Sequence, residues 1–254
     1  MLAERGYLIP AINTATVDYL HCAMHLARSI RQWHPGANIS VLTSGKCDDP
    51  VFDHVIAPPY GDLGGYANDW QVFAASPYRQ TIKLEADMLA ATPIDHWWNL
   101  FEHRDVVISQ GCRNFYDQPA ASRYYRRLFD DNHLPDVYNA ITYWRLSNTA
   151  KEFFELVRYI FEHWSEFRKL LKFPDDQAST DVVYAMAAQI MGPERVTLPQ
   201  GLGPNIVHMK RHIIGTNSSN WTHELVWEFL DPGVRINTVA QWGLFHYHVK
   251  DWLP

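Results

Sequence analysis

The sequence is poor in cysteine and has no long apolar segment. Its three cysteines, Cys22, Cys47 and Cys112, form no Cys-x-x-Cys pair, so neither a disulfide framework nor a zinc knuckle is indicated. No window approaches the roughly 18 to 20 apolar residues that a membrane span requires. The N-terminal segment MLAERGYLIP also lacks a signal-type apolar run. We therefore expect a cytoplasmic protein with buried thiols and no membrane span.

An excess of positive charge is also missing. The formal net charge is −6, so the chain as a whole does not attract nucleic acid or an anionic membrane. Two local basic clusters remain, the aromatic strip 112–127 (CRNFYDQPAASRYYRR) and a group made of His208, Lys210, Arg211 and His212. The strip could bind a phosphate-rich or nucleobase-bearing acceptor by charge and stacking, although an exposed amphipathic helix explains it at least as well.

Several catalytic motifs do not occur. Gly61, Gly64 and Gly65 form no G-x-G-x-x-G behind a strand, and the sequence contains no Walker motif and no G-x-S-x-G elbow. A Rossmann dehydrogenase, a P-loop enzyme and a serine hydrolase are therefore poorly supported. His21 and His25 lie four residues apart on a predicted helix, but the glutamate of H-E-x-x-H is absent, so a zinc protease site is not indicated.

The order of strands and helices predicts an α/β sandwich. Apolar and β-branched runs predict strands at 6–12, 39–45, 54–59, 81–90, 105–111, 137–147 and 196–199. Helical spacing predicts helices at 18–33, 68–75, 94–102, 148–171 (with Asn148 as N-cap) and 180–192. From Gly201 onward the chain is rich in Gly, Pro and Asn, which is typical of a loop-rich lobe. Alternating elements of this kind predict a sheet with ligands beyond the carboxyl ends of its strands.

The segment 81–90 (TIKLEADMLA) carries two carboxylates at the end of an apolar run. Residues two apart in an extended strand point to the same side, so Glu85 and Asp87 are expected to converge, with Lys83 on that side. Like charges this close are unfavourable unless something positive lies between them. A solvated strand end paired with Lys or Arg meets that condition. A divalent cation such as Mg²⁺ or Mn²⁺, which prefers oxygen ligands, meets it too.

A series of ordered segments resembles glycosyltransferases of the GT-A fold, most closely the glycogenin-like and galactosyltransferase-like group called glycosyltransferase family 8. The segments are AINTATVDYLHCAMHLARSI (11–30), SPYRQTIKLEADMLAATPID (76–95), VYNAITYWRLSNTAKEFF (137–154), PDDQASTDVVYA (174–185) and FHYHVKDWL (245–253). They follow the order of the family's first loop, Asp-x-Asp strand, Asn-Ala-Gly strand, acidic-Gln segment and His-to-Trp ending. Their order and spacing carry the resemblance, which spans nearly the whole chain.

The resemblance implies an architecture. We expect a single GT-A type (Rossmann-like) α/β/α sandwich with a mixed central sheet and a loop-rich C-terminal acceptor lobe. One domain would cover 1–254. Within it, 1–111 would bind the nucleotide sugar, and 112–254 would contain the acceptor half and the C-terminal metal and diphosphate motif.

The resemblance also implies a site for Mn²⁺ or Mg²⁺. Glu85 and Asp87 stand at the Asp-x-Asp position, His246 would be the metal ligand of the C-terminal motif, and Lys250 would contact the diphosphate. The sequence departs from the family in two ways: the first acid is Glu rather than Asp, and the C-terminal motif is shorter and lacks Gly. Glu85 is therefore also a candidate for contact with the ribose, and His248 stays an alternative to His246 as the ligand.

The implied donor is a nucleotide sugar, which in most of this group is a UDP-sugar. By position in the family's motifs, Ala11, Asn13, Asp18 and Tyr19 would hold the nucleoside, with the Tyr19 ring stacked on uracil. Lys83 is assigned to the same donor site.

The acceptor side is implied in the same way. Asp175, Asp176 and Gln177 occupy the segment that in the family faces the sugar near its anomeric carbon, and Asn139 would contact the donor or acceptor sugar. Asp176 could serve as the base of an inverting enzyme. Retaining and inverting courses both stay open, and Asn139 is equally explained as a turn residue at a strand end.

The expected function is transfer of a hexosyl or pentosyl group from a nucleotide sugar to an acceptor hydroxyl. The acceptor is expected to be a glycan, a lipid-linked sugar, a protein or a hydroxymethylated DNA base. The expected location is the cytoplasm of a bacterium or of a virus-infected host cell. The alternative is a non-catalytic nucleotide- or carbohydrate-binding protein of the same fold.

Overall fold

A computed structural model describes residues 2–119, 126–199, 201–204, 206–209 and 220–253. Its strands are β1 (Ala3–Pro10), β2 (Ile39–Leu42), β3 (His54–Ile56), β4 (Tyr78–Leu84), β5 (Met88–Ala90), β6 (Val106–Gln110), β7 (Val137–Arg145), β8 (Ile206–Met209), β9 (Trp227–Phe229), β10 (Val234–Ile236), β11 (Val239–Ala240) and β12 (Leu244–Tyr247). Its helices are α1 (Tyr19–Trp33), α2 (Val72–Ala75), α3 (Trp97–Phe101), α4 (Arg126–Asp131), α5 (Asn148–Glu162), α6 (Trp164–Leu171), α7 (Thr180–Met191), α8 (Pro193–Val196) and α9 (Trp221–Glu224), with a 3₁₀ helix at Gly65–Gln71.

A six-stranded mixed sheet forms the centre of the molecule, in the order β3-β2-β1-β4-β7-β6. The pairs β3-β2, β2-β1 and β1-β4 are parallel, whereas β7 runs antiparallel to both of its neighbours. The second half of β1 and most of β4 are buried, which explains their nearly continuous apolar runs. The mixed sheet expected from the resemblance is confirmed.

The sheet separates two buried apolar layers. One layer contains Leu26 of α1 and Trp98 of α3, together with Trp252 near the C-terminus. The other contains Phe153 of α5 and Val183 of α7. Both helices α1 and α5 present a strong apolar stripe, so each covers one face of the sheet. The result is the expected α/β/α sandwich.

A second, three-stranded sheet joins the C-terminal segment to the middle of the chain. Its order is β5-β12-β8, with β12 antiparallel to β5 and parallel to β8. In this register His246 lies opposite Met88 on one side and His208 on the other. This pairing holds β12, near the C-terminus, directly beside residues 85–87, which connect β4 to β5.

The structure differs from the predicted strands at two places. The predicted strand 81–90 is two strands in different sheets, because β4 pairs within the central sheet and β5 pairs with β12. Residues 85–87 between the two strands are not extended strand. Glu85 and Asp87 therefore do not converge through the alternation of side chains along one strand. The predicted strand 196–199 begins as helix α8, and Thr197 makes an isolated bridge to Ile108.

The predicted helix 148–171 also differs. It divides at His163 into α5 and α6, and Nδ1 of the His163 imidazole lies 2.9 Å from the Tyr159 carbonyl of α5. The N-cap of α5 is Ser147 rather than Asn148, because the Ser147 hydroxyl accepts a hydrogen bond from the Ala150 amide at 3.1 Å. Both differences leave the apolar stripe of α5 on the sheet.

None of the helices in the described ranges combines the length and the apolar composition needed to cross a bilayer. Cys22 and Cys112 are buried, as expected, whereas Cys47 is partly exposed.

Candidate functional site

Three potential metal ligands converge where the central sheet meets the C-terminal sheet. Glu85, Asp87 and His246 each contribute one ligand atom, and these atoms all lie within 4.8 Å of one another. His246 Nε2 is 3.2 Å from Asp87 Oδ1 and 3.4 Å from Glu85 Oε2. Asp87 and His246 are buried, while 28% of the Glu85 side chain remains exposed. We name these three residues the acid–histidine cluster.

Backbone pairing holds this cluster in place. The Glu85 amide donates to the Ala140 carbonyl at 3.2 Å, and the Tyr247 amide donates to the Asp87 carbonyl at 3.1 Å. The first bond ties the connection 85–87 to β7, and the second ties it to β12. The positions of both carboxylates are thus set by two neighbouring strands rather than by a free loop.

Lys250 places a fixed positive charge beside Asp87. Its ammonium donates to Asp87 Oδ2 and, at 3.0 Å, to the Tyr247 carbonyl. The same Nζ lies 5.7 Å from the centre of the Tyr19 ring. Lys250 therefore links the acid–histidine cluster to the start of α1.

The charges within the cluster shift its pKa values in opposite directions. Burial opposes ionisation of Asp87, but His246 and Lys250 outweigh burial and hold the pKa of this carboxyl well below its usual range. Burial raises the pKa of Glu85 above its usual value. For His246, burial favours the neutral ring, but the Asp87 carboxylate overcomes it and raises the pKa. Lys250 thus balances part of the acidic charge, and the Asp87 carboxylate favours the protonated form of His246.

The phenol of Tyr138 orients His246. Tyr138 Oη lies 2.5 Å from His246 Nδ1, and Nε2 of the same ring faces the two carboxylates. An Nδ1–H that donates to the phenol oxygen leaves the Nε2 lone pair for a metal. The sequence analysis missed Tyr138, because an aromatic residue in a buried strand has no feature that distinguishes it from the core.

His208 and His248 extend the cluster on its outer side. The His208 ring stacks on His246 with centroids 5.0 Å apart and planes at 6°. His208 Nε2 lies 2.5 Å from His248 Nε2. Of these three histidines, His246 is the one whose ring nitrogen lies within 4.8 Å of carboxylate oxygens of both Glu85 and Asp87. The geometry therefore favours His246 over His248 as the candidate ligand.

A buried ionic network adjoins the cluster. Lys83 Nζ lies 2.9 Å from Asp69 Oδ1 and donates to the Asn139 carbonyl at 3.1 Å. The Asn139 side chain donates to Asp69 at 3.3 Å, and the Asn139 amide donates to Asp181 Oδ1 at 3.0 Å. The charges of Lys83 and Asp181 both act on the pKa of Glu85, so this network lies close to the cluster. The sequence analysis found Lys83 and Asn139 but not their acidic partners.

The first loop and the start of α1 lie beside Lys250. Asn13 Nδ2 donates to Asp18 Oδ1 at 2.9 Å, and Asp18 also caps α1. Ala11 is buried. Tyr19 is half-buried, and burial together with the Asp87 charge raises its pKa to about 12. Of the four residues predicted to hold the nucleoside, Tyr19 interacts with Lys250 and with the charge of Asp87. Asn13 and Asp18 bond to each other and shape the loop.

The predicted acceptor segment lies on the surface. Asp175, Asp176 and Gln177 are exposed between α6 and α7. The Asp176 carboxylate pairs with Arg168, and its side chain is 88% exposed. Asp181, in the first turn of α7, is the acid that accepts a hydrogen bond from the Asn139 amide. The roles assigned to the exposed residues stay predictions.

The predicted basic clusters lie partly outside the described residues, which omit 120–125 and 210–212. Among the residues that the structure does describe, Arg113 pairs with Asp117.

The acid–histidine cluster suits a hard divalent cation. Two carboxylates and one imidazole are ligands that Mn²⁺ and Mg²⁺ sites use. The carboxylates already need compensating positive charge, which His246 and Lys250 supply. The residues present therefore fit the metal that the fold implies.

No family model matches this sequence, and a comparison with curated proteins finds no match. Among solved structures, the galactosyltransferase LgtC in complex with donor and acceptor sugar analogs aligns with 96% of this chain and 87% of its own, at 12% identity and a TM-score of 0.52. An active-site mutant of LgtC aligns with 96% of this chain and 88% of its own, at 12% identity and a TM-score of 0.51.

The bifunctional glycosyltransferase WbbM, without ligand, aligns with 98% of this chain at 10% identity and a TM-score of 0.53. This chain spans 46% of WbbM, about half of its length. Likeness at such low identity is a likeness of fold. The chain has the GT-A fold, similar to that of the glycosyltransferases LgtC and WbbM, and the fold expected from the sequence is confirmed.

Proposed function

We propose that this chain is a metal-dependent glycosyltransferase that moves a sugar from a nucleotide-sugar donor to an acceptor hydroxyl. The observation that carries the proposal is the convergence of Glu85, Asp87 and His246 beyond the carboxyl end of β4. Open α/β sheets bind their ligands at this edge. The likeness of the fold to LgtC and WbbM supports the same class of reaction.

Mn²⁺ or Mg²⁺, held by Glu85, Asp87 and His246, would supply the positive charge that a departing nucleoside diphosphate requires. Lys250 lies next to Asp87 and adds a point charge for the same group. Its position also places that charge beside Tyr19, so that a diphosphate and a base can be held next to each other.

The donor we propose is a UDP-sugar carrying a hexose or a pentose. The Tyr19 ring offers a surface on which a base can stack, and stacking tolerates any base. The choice of uracil therefore follows the resemblance to family 8, and the experiment below includes other nucleotides.

On the acceptor side, the proposed roles stay with Asp175, Asp176, Gln177 and Asn139. The loop that contains the first three of these residues is exposed and open to a substrate.

Metal removal tests the proposal directly. We expect the protein to release nucleoside diphosphate from at least one of a panel of UDP-, GDP- and ADP-sugars when Mn²⁺ or Mg²⁺ is present. EDTA should abolish this release, and added Mn²⁺ should restore it. A non-catalytic binder would show a donor-dependent rise in melting temperature but no release. Release that persists unchanged in EDTA, or no response to any donor in either assay, would contradict the proposal.

Tyr138→Phe is expected to weaken Mn²⁺ binding about 10-fold without loss of the fold. Partners of a metal-bound histidine fix its ring, and their removal typically costs about 10- to 100-fold in metal affinity. A phenol is a weak partner, so the lower end applies. Isothermal titration with Mn²⁺ measures the effect.

The matched control for this variant is Tyr143→Phe. Tyr143 is buried in the same strand, and its hydroxyl donates to Gln80 at 3.2 Å, away from His246. This control should keep wild-type metal affinity. Equal affinities of Tyr138→Phe and the wild type would show that the phenol does not position the ligand.

A further inference from the structure

A cleft of about 390 Å³ opens at the opposite end of the central sheet from the acid–histidine cluster. Its lining includes Arg5, Tyr7, Trp33, His34, Asp95 and Trp98. Helix α1 connects the two places, since it begins at Tyr19 beside Lys250 and ends at Trp33 in the cleft. At about 1.5 Å per residue, the 15 residues of α1 separate them by roughly 20 Å. We name this place the α1-end cleft.

Trp33 offers an oriented aromatic surface to the α1-end cleft. The residue is 36% exposed, so a ligand can reach the ring. The indole Nε1 donates to the Ala90 carbonyl at 2.9 Å. Because this bond already fixes the ring, a ligand that stacks on Trp33 pays little further side-chain entropy.

Arg5 brings a positive charge to the cleft. The Arg5 guanidinium lies over the Trp98 ring, 5.6 Å from its centre. Stacking on an aromatic face orients the planar fork of an arginine while leaving its N–H groups at the edge free to donate. Within the described part of the chain, Arg5 forms no ion pair. The neighbouring Glu4 is the carboxylate that Arg79 approaches.

A negative group in the cleft is also available. The Ile94 amide donates a hydrogen bond to His34 Nε2 at 3.2 Å. The Asp95 carboxylate lies 3.8 Å from the same nitrogen. With a side chain that is 62% exposed, Asp95 can accept hydrogen bonds from a ligand.

The buried wall of the cleft adds one more polar group. Tyr7 is buried in this wall, with its ring centre 5.3 Å from that of Trp98. Burial raises the pKa of Tyr7 well above its usual value, so the phenol keeps its proton.

We propose that the α1-end cleft is a second saccharide-binding site, which holds a sugar unit of a glycan. The apolar face of a pyranose ring stacks on Trp33, and the hydroxyl groups at its rim meet one fixed donor, Arg5, and one acceptor, Asp95. Neutral polyols need donors and acceptors together. Anionic ligands such as phosphates would meet the charge of Asp95, and a purely apolar ligand would leave Arg5 and Asp95 unpaired. The volume falls within the range of about 300–1,000 Å³ typical of small-ligand sites.

This proposal goes beyond the proposed reaction and does not depend on it, since a binding protein of the same fold would use the cleft equally. If both proposals hold, the acceptor is a glycan with several units. Such a chain could be held at the α1-end cleft while another of its units reaches the acid–histidine cluster roughly 20 Å away. Two weak contacts on one chain then raise the local concentration of the acceptor end.

The experiment measures saccharide binding alone. Saturation-transfer NMR is run on the full chain with EDTA and without donor, using methyl glycosides of glucose, galactose, mannose and N-acetylglucosamine and their tetrasaccharides as probes. We expect transfer to at least one probe, and at least a 10-fold loss of affinity in Asp95→Asn, Arg5→Ala and Trp33→Ala.

Matched controls are Arg79→Ala and Trp242→Ala, which change an exposed arginine and an exposed tryptophan that do not line the cleft. Both should bind like the wild type, and Asp95→Asn should release nucleotide from the donor at the wild-type rate. If Trp33→Ala fails to fold, the exposed variants Asp95→Asn and Arg5→Ala still decide. Absence of transfer to every probe, or affinities of those two variants equal to that of the wild type, would overturn the proposal.

Discussion

Asp87→Asn is expected to lower metal-dependent donor turnover by at least about 10³-fold. The Asp87 carboxylate pairs with both His246 and Lys250, so it is shared by the metal site and the diphosphate site. The amide keeps the size of the side chain but removes the negative charge. A metal contributes several kcal/mol of charge stabilisation, and every 1.4 kcal/mol or so changes a rate tenfold.

Two measurements test Asp87→Asn, the rate of nucleoside diphosphate release and Mn²⁺ affinity by titration calorimetry. Asp131→Asn is the matched control, since Asp131 is an exposed acid that pairs with Arg127 on a helix surface. It should keep both properties. A folded Asp87→Asn protein that retains normal metal-dependent rates would end the proposal.

Asp87→Asn should also change stability in a defined direction. The folded-state pKa of Asp87 lies below its usual value, so the ionised carboxylate stabilises the metal-free fold above the usual carboxyl range. This contribution is lost as the pH falls. The melting temperature of the variant should therefore lie below that of the wild type at neutral pH, and the difference should shrink in acid. Circular dichroism at both pH values confirms that the variant is folded.

Lys83→Met is expected to lower the free energy of unfolding by about 3–5 kcal/mol. The Lys83 ammonium is 1% exposed and is held by Asp69 and the Asn139 carbonyl. Methionine fills a similar volume but leaves the Asp69 carboxylate without its cation. Breaking a buried ion pair by removing one partner costs about this much, because the remaining charge is buried and uncompensated.

Urea denaturation measures the loss in Lys83→Met, and a second substitution identifies its cause. Asp69→Asn in the same chain removes the uncompensated charge, so the double variant should recover much of the stability. Lys151→Met is the control. Lys151 forms an exposed pair with Glu155 at 3.7 Å, and such pairs contribute at most about 1 kcal/mol. A loss in Lys83→Met no larger than in this control would show that the network is not stabilising.

Most of the fold could be predicted from the sequence, because local patterns decide local structure. The apolar stripe of α1 and the buried run of β1 are visible as residue periodicities, and both elements occur close to where they were predicted. The boundary errors have a common cause. Residues 81–90 read as one strand, since the change of sheet at residues 85–87 depends on pairing with β12, more than 150 residues away.

The candidate site was predictable only in part. Glu85, Asp87 and His246 were named from ordered motifs, and these residues converge. Tyr138, Asp69 and Asp181 were not named, although they hold His246 and Asn139 in place. Supporting residues of this kind are ordinary core or helix-start residues in the sequence, because their effect comes from a contact and not from a motif.

The sequence by itself determined the alternation of strands and helices and the presence of carboxylates, histidines and a lysine in a fixed order, since both follow from which residues neighbour one another along the chain. Tertiary structure decided which of those groups meet. Antiparallel pairing of β12 with β5 selects His246 for the carboxylates, and the packing of α1 sets the distance from the acid–histidine cluster to the α1-end cleft. Such contacts depend on register and packing between distant segments, which no local pattern encodes.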